Sequence, residues 1–222
     1  MRIIRNSIFA LFALALLAHV GTARRQQQQP QPEEWADNFD GAALDEGNWE
    51  RFSFEGAGGG KLEVKGGRLL MRGPAGSRAG VRSRKEFAGD RFIFEATLTK
   101  VTRQVIEPGK KDSDLGFGIL CVLFDGSGRN RIEWLLTSEN TFEAWAVVDG
   151  RGERLDNRKL GTKDKRPTLG IVRRGDEFLF MLNGEAGLTR TIKNMPQKFH
   201  AMIYGFGTTE TEWDSARVVT VK

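Results

Sequence analysis

The chain has 222 residues, 34 Lys and Arg against 29 Asp and Glu, a formal net charge of +5 and one cysteine. That length suits a single domain with a two-layer core. The charge is mild and basic residues alternate with acidic ones, which argues against a nucleic-acid footprint, and a lone cysteine excludes an intramolecular disulfide.

Residues 1–23 have the layout of a secretory signal peptide: basic Arg2 and Arg5, an apolar run from Ile8 to Ala18, then small Gly21, Thr22 and Ala23. The apolar run is about half the ~20 residues a spanning helix needs, so no stable membrane span is expected after cleavage behind Ala23. Loss of Arg2 and Arg5 with the leader lowers the net charge from +5 to +3. The expected location is outside the cytoplasm, periplasmic or extracellular. Residues 24–34, beginning RRQQQQPQP, offer proline but no other apolar side chain to bury, which predicts a disordered Gln/Pro-rich spacer.

From Trp35 to Lys222 short apolar or alternating runs are broken every eight to twelve residues by Gly, Asn or Asp, with no sustained 3.6-residue period. This pattern predicts one all-β domain over 35–222, a sandwich of many antiparallel strands. Trp49 and Phe52 fall in an early strand and read as core. Gly66-Gly67, Gly175-Asp176 and Asn183-Gly184 each separate two strand-like runs and suit two-residue hairpin turns, which need positive φ. Arg82, Arg84 and Lys85 form the densest basic patch and read as a solvated strand edge.

In Arg91 to Val101, Phe92, Phe94, Ala96 and Leu98 share one face and Arg91, Glu95, Thr97 and Thr99 the other, as in a strand buried on one side. Thr102 to Ser113, with Pro108, Gly109 and two lysines, predicts a long exposed loop. Leu115 to Phe124 is apolar throughout and reads as a central strand covered on both sides, with Cys121 as a buried, inert thiol. Phe178 and Phe180 read as core.

Asn130 to Val148 predicts a hairpin with Ser138-Glu139-Asn140 as its loop and Asn140 in the left-handed position. Ile132, Trp134 and Leu136 then oppose Ala146, Ala144 and Phe142 on one apolar face. The other face sets Arg131, Glu133, Leu135 and Thr137 against Val147, Trp145, Glu143 and Thr141. A one-residue slip would mix the two faces, so the segregated register is favoured. Trp145 thereby lies opposite Glu133, flanked by Glu143 and Arg131, on a face expected to be wet. An indole stacks on a pyranose while carboxylate and guanidinium groups bond its hydroxyls, so the group suits a glycan. The bland alternative is a cross-strand Trp packing on Arg and Glu stems. Glu133 and Glu143, roughly 7 to 8 Å apart as diagonal neighbours, are weak candidates for a glycosidase pair.

Three stretches carry a resemblance: the opening DNFDGAALDEGNWERF, the hairpin ending GGRLLM followed by GVRSRKEFAGDRFIFEATLTKV, and the later LGIVRRGDEFLFMLNGE with terminal WDSARVVTV. They resemble concanavalin A-like lectin/glucanase domains over nearly all of 35–222. The resemblance implies a jelly roll of two antiparallel sheets of about six strands, one hollowed into a concave face where many members bind or cleave sugars. The opening also resembles bacterial 3-keto-disaccharide hydrolase-like domains, but DLGFGILCVLF stands where that family usually has N-S-G-I.

Laminarinase-type glycosidases carry an E-x-D-x-x-E strand. The nearest match, Glu212 to Arg217, has Arg217 at the proton donor's position, and a guanidinium cannot act as general acid. His200 and Cys121 cannot form a zinc or copper cluster by themselves. No cofactor is expected, although carboxylates such as Asp112 and Asp114 leave calcium open without a ligand spacing to identify it. The leading reading is a secreted, non-catalytic carbohydrate-binding domain using Arg131, Glu133, Glu143 and Trp145. The rivals are a divergent glycoside or 3-keto-disaccharide hydrolase and a structural or protein-binding envelope module.

Overall fold

The computed structural model describes residues 31–54, 60–73, 79–103, 116–159, 166–206 and 209–221. The signal peptide, most of the expected spacer and the Asp112–Asp114 carboxylates lie outside them. These residues form sixteen β-strands and no helix, so among them no helix is long and apolar enough to cross a membrane.

The strands make two antiparallel sheets. The first runs β14 (Glu185–Thr191), β13 (Glu177–Leu182), β12 (Thr168–Arg174), β7 (Arg91–Arg103), β16 (Thr209–Val221), β4 (Leu69–Gly73) and β3 (Lys61–Val64), and β1 (Pro32–Asp37) pairs with β16 beyond β4. The second runs β11 (Arg151–Lys159), β10 (Thr141–Val148), β9 (Arg131–Thr137), β8 (Phe117–Leu123), β15 (Lys198–Phe206), β5 (Ala79–Ser83) and β2 (Trp49–Ser53), with β6 (Phe87–Ala88) on β15. Each sheet thus has eight strands rather than the six implied by resemblance.

Turn chemistry sets the hairpins. Gly66 and Gly67 take φ of 61° and 71°, and Lys65 N–H donates to Arg68 C=O at 2.9 Å to close the β3–β4 turn. Asn183 and Gly184, at 52° and 82°, do the same between β13 and β14, whereas β12–β13 needs only Gly175 at 63°. Between the sheets one core gathers the inward residues of both. Phe92, Phe94, Ala96 and Leu98 of β7 meet Leu120 and Val122 of β8, Trp134 of β9, Phe178 and Phe180 of β13, and Trp213 of β16. The core also packs Trp134 against the tilted rings of Phe142 and Phe180, at centroid distances of 5.4 and 5.6 Å.

Several expectations need correction. The spacer ends earlier than residue 34: Pro32 to Glu34 are the start of β1, which pairs with Val219 to Val221. An open stretch of β16 accepts an extended chain there, and proline is tolerated at the first strand position. Thr102 and Arg103 belong to β7, not to a loop. Arg82 is not on an edge strand, because β5 lies between β15 and β2; it pairs with Glu50 and Lys85 with Glu33, both at 2.5 Å. Trp49 is fully buried in the core, but Phe52, three residues on in a period of two, lies on the opposite face with a second cluster.

Candidate binding cleft

The β9–β10 hairpin adopts the segregated register. Asn140 takes φ 64°, and Thr137 anchors the loop by accepting Glu139 and Thr141 N–H bonds on its hydroxyl at 3.2 and 3.1 Å. Trp145 pairs with Glu133, Ala144 with Trp134 and Val147 with Arg131. Ile132, Trp134 and Leu136 face the core, so Arg131, Glu133, Glu143 and Trp145 all face outward, where they line one cleft of about 370 Å³.

This face is not the wet surface expected. Glu133 is 6% exposed and Leu135 4%. β8 and β15 are apolar on both faces, so Ile119, Cys121, Leu123, Leu135, Met202 and Tyr204 form a second apolar cluster on the outside of the sheet. Phe52, Phe54, Phe117 and Phe206 pack against it. The cleft therefore has an apolar floor, and only part of Trp145, Glu143 and Arg131 reaches solvent.

The two carboxylates play different parts. Glu133 Oε1 accepts the Tyr204 hydroxyl at 2.6 Å and the Arg131 Nε–H; its other oxygen takes no hydrogen bond from the described residues. Burial, with the Glu133 charge beside it, pushes the Tyr204 phenol well above its ordinary range. Burial opposes the Arg131 charge, yet Glu133 outweighs it and raises the guanidinium above its usual value. Arg131 also lies 4.9 Å over the Phe54 ring, and Phe54 meets Tyr204 edge-on at 5.4 Å.

Glu143 instead holds the indole. Its Oε2 accepts Trp145 Nε1–H at 2.8 Å and its Oε1 accepts Asn157 Nδ2–H at 3.1 Å, with Arg154 3.9 Å away. Arg154 also stands 6.0 Å over the Trp145 ring. Both oxygens of Glu143 are thus engaged, and Trp145 has its N–H satisfied, which leaves the ring as the surface it offers to the cleft.

A loop beneath the cleft fixes Arg131. Asp125 accepts Ser127 and Arg129 N–H bonds at 2.9 and 3.1 Å and the Asn130 amide at 3.0 Å. Burial works against its charge, but these bonds prevail and lower its pKa. Gly128, at φ 77°, lies under Phe54, whose ring would stand 2.4 Å from any Cβ there.

Sequence reasoning brought Arg131, Glu133, Glu143 and Trp145 to one face but missed Tyr204, Phe54, Arg154 and Asn157. Tyr204 carried a signal, as the chain's single tyrosine inside the apolar run KFHAMIYGF, where a buried hydroxyl needs a partner. The others come from β2's end and β11, whose register no local pattern fixes.

The remaining candidates sit elsewhere. Glu212 and Asp214 lie on β16 in the other sheet, pairing with Arg68 at 3.0 Å and Arg166 at 2.5 Å, and a bulge at Trp213 breaks the strand's register there. His200 is half-buried with Nδ1 2.8 Å from Ser83 C=O. Cys121 is fully buried, and burial followed by the nearby Glu133 charge pushes its thiol well above the ordinary range. Among the described residues no three His, Cys, Asp or Glu side chains gather as a metal site.

No protein-family model and no curated protein sequence matches the chain. Solved structures do. A Bacillus licheniformis beta-glucanase superposes with a TM-score of 0.64 at 11% identity, covering 85% of this chain and 98% of its own. An endo-acting O-glycanase of the human gut microbiota gives 0.65 at 15% identity, covering 85% and 99%. The carbohydrate binding module CBM66 from Bacillus subtilis gives 0.53 at 12% identity, covering 75% and 92%. Identities this low speak to architecture: the described domain is a concanavalin A-like jelly roll.

Proposed function

We propose that the protein is an exported, non-catalytic carbohydrate-binding domain that takes a glycan in the cleft lined by Trp145. One observation carries the reading: an indole tethered by Glu143 lines an apolar-floored cleft beside the buried Glu133, one of whose oxygens takes no hydrogen bond from the described residues. A pyranose presents an apolar face to the ring and hydroxyl donors to that oxygen. Structural neighbours that include glucanases and a carbohydrate binding module lend support. The leader-like residues 1–23 support export.

The non-catalytic part of the reading rests on how the carboxylates are used. Glu143 is occupied by Trp145 and Asn157, and Glu133 is committed through one oxygen to Tyr204. Glycan arrays with the protein should give hits that Trp145→Ala abolishes; an array silent to every polysaccharide sinks the proposal. A hydrolase remains the second reading because both glutamates line one cleft. It predicts product release from a saccharide library, lost in Glu133→Gln or Glu143→Gln.

A further inference from the structure

A second cleft, of about 870 Å³, opens where the edge strand β11 of one sheet faces the edge strand β14 of the other. Four cations line it from three separate segments: Arg129 from the β8–β9 loop, Arg151 from the start of β11, and Arg190 and Lys193 from β14 and the turn after it. Only two carboxylates, Asp149 and Glu153, stand among them.

Many cations elsewhere on the described surface are paired with carboxylates. Arg68, Arg72 and Lys100 gather on Glu210 and Glu212, Lys198 on Glu86 and Arg217 on Glu34. Among the described residues no carboxylate pairs with any of the four cations of this cleft. Two are held by backbone carbonyls instead: Arg190 donates to Thr189 C=O at 2.9 Å and across the gap to Leu155 C=O at 3.2 Å, and Arg129 to Asp149 C=O at 3.4 Å. Carbonyl partners fix a guanidinium without neutralising it, which leaves oriented positive charge facing the cleft.

We propose that this cleft binds the anionic substituent of an acidic saccharide, a uronate carboxylate or a sulfate ester. The inference rests on the carbohydrate reading above, because Gly152 of β11 lines both clefts and so makes the basic one a neighbour of the cleft at Trp145.

The test compares polygalacturonate, dextran sulfate and neutral dextran by calorimetry, with the protein and its Arg151→Ala/Lys193→Ala variant. Both replaced side chains are exposed and bond no other residue described, so the variant should fold normally. The charged polymers should bind more tightly than dextran, more weakly as salt rises, and at least tenfold more weakly in the variant. Preference for one charged polymer separates carboxylate from sulfate. Equal affinity for dextran, unchanged binding by the variant, or equally tight binding of single-stranded DNA would overturn the assignment. Galacturonate monomer tells the two readings apart: shifts of the Arg151 and Arg190 side-chain NMR signals, with no saccharide response at Trp145, keep this cleft and remove the first proposal. Shifts at Trp145 alone do the reverse.

Discussion

Tyr204→Phe removes one oxygen and nothing else from the floor of the cleft. The ring keeps its packing against Phe54 at 5.4 Å, but Glu133 Oε1 loses the donor that stands 2.6 Å away. Tyr204 is 2% exposed and Glu133 6%, so water replaces that bond poorly. Hydrogen bonds to charged groups contribute about 1.5–3 kcal/mol, which sets the expected loss near 2 kcal/mol. For a chain of roughly 150–250 residues that corresponds to about 4–8 °C in Tm. Urea unfolding followed by tryptophan fluorescence should show a lower midpoint at unchanged slope. Glu133→Ala alone and combined with Tyr204→Phe completes a cycle, and the two changes should couple by about 1 kcal/mol or more because each removes the same bond. A Tyr204→Phe loss below ~0.5 kcal/mol, or strict additivity in the cycle, would refute the claim that this buried, charge-assisted hydrogen bond stabilises the fold.

Two other perturbations follow from the geometry. Gly80→Ala places a Cβ 2.1 Å from Ile203 C=O and 2.6 Å from Tyr204 Cα, so β5 must part from β15. The cost should reach about 3 kcal/mol, measured as a fall in urea midpoint, and a stability unchanged from wild type would contradict the strand pairing. Glu95 has its pKa raised by burial, which Arg217 only partly opposes. A raised folded value means the ionised form costs stability above it. Glu95→Gln should therefore raise Tm at pH 7, and the gain should fade as pH falls through the raised folded value and be gone below about 4.3, where both states of wild type are protonated. Thermal melts across that range check the sign.

The fold was legible because several levels of the sequence agree. Alternation in Arg91 to Val101, glycine and asparagine at turns that require positive φ, and the unbroken apolar run of β8 each dictate their own element. The β9–β10 register was legible for the same reason, since only one pairing keeps Trp134 with Ala144 and Trp145 with Glu133. What the alternation could not show was the environment of the outward face. Period two says that Glu133 and Arg131 point away from the core together, not that Tyr204 waits for them there. Tyr204 lies 71 residues further on, on a strand two places away in the sheet, and no local pattern encodes such a neighbour. β1 was hidden for a related reason. Pro32, Glu33 and Glu34 have poor strand propensity, and it is the open stretch of β16 that makes them a strand.

The most direct test of the central claim uses the protein's five tryptophans as internal reporters. In a proton–nitrogen NMR spectrum their indole N–H groups give separate signals, assignable by substitution. Titration with an array hit should shift the Trp145 signal and leave those of Trp49, Trp134 and Trp213, all buried in the core, in place. Binding that leaves Trp145 unmoved, or that persists at full affinity in Trp145→Ala, would contradict the account.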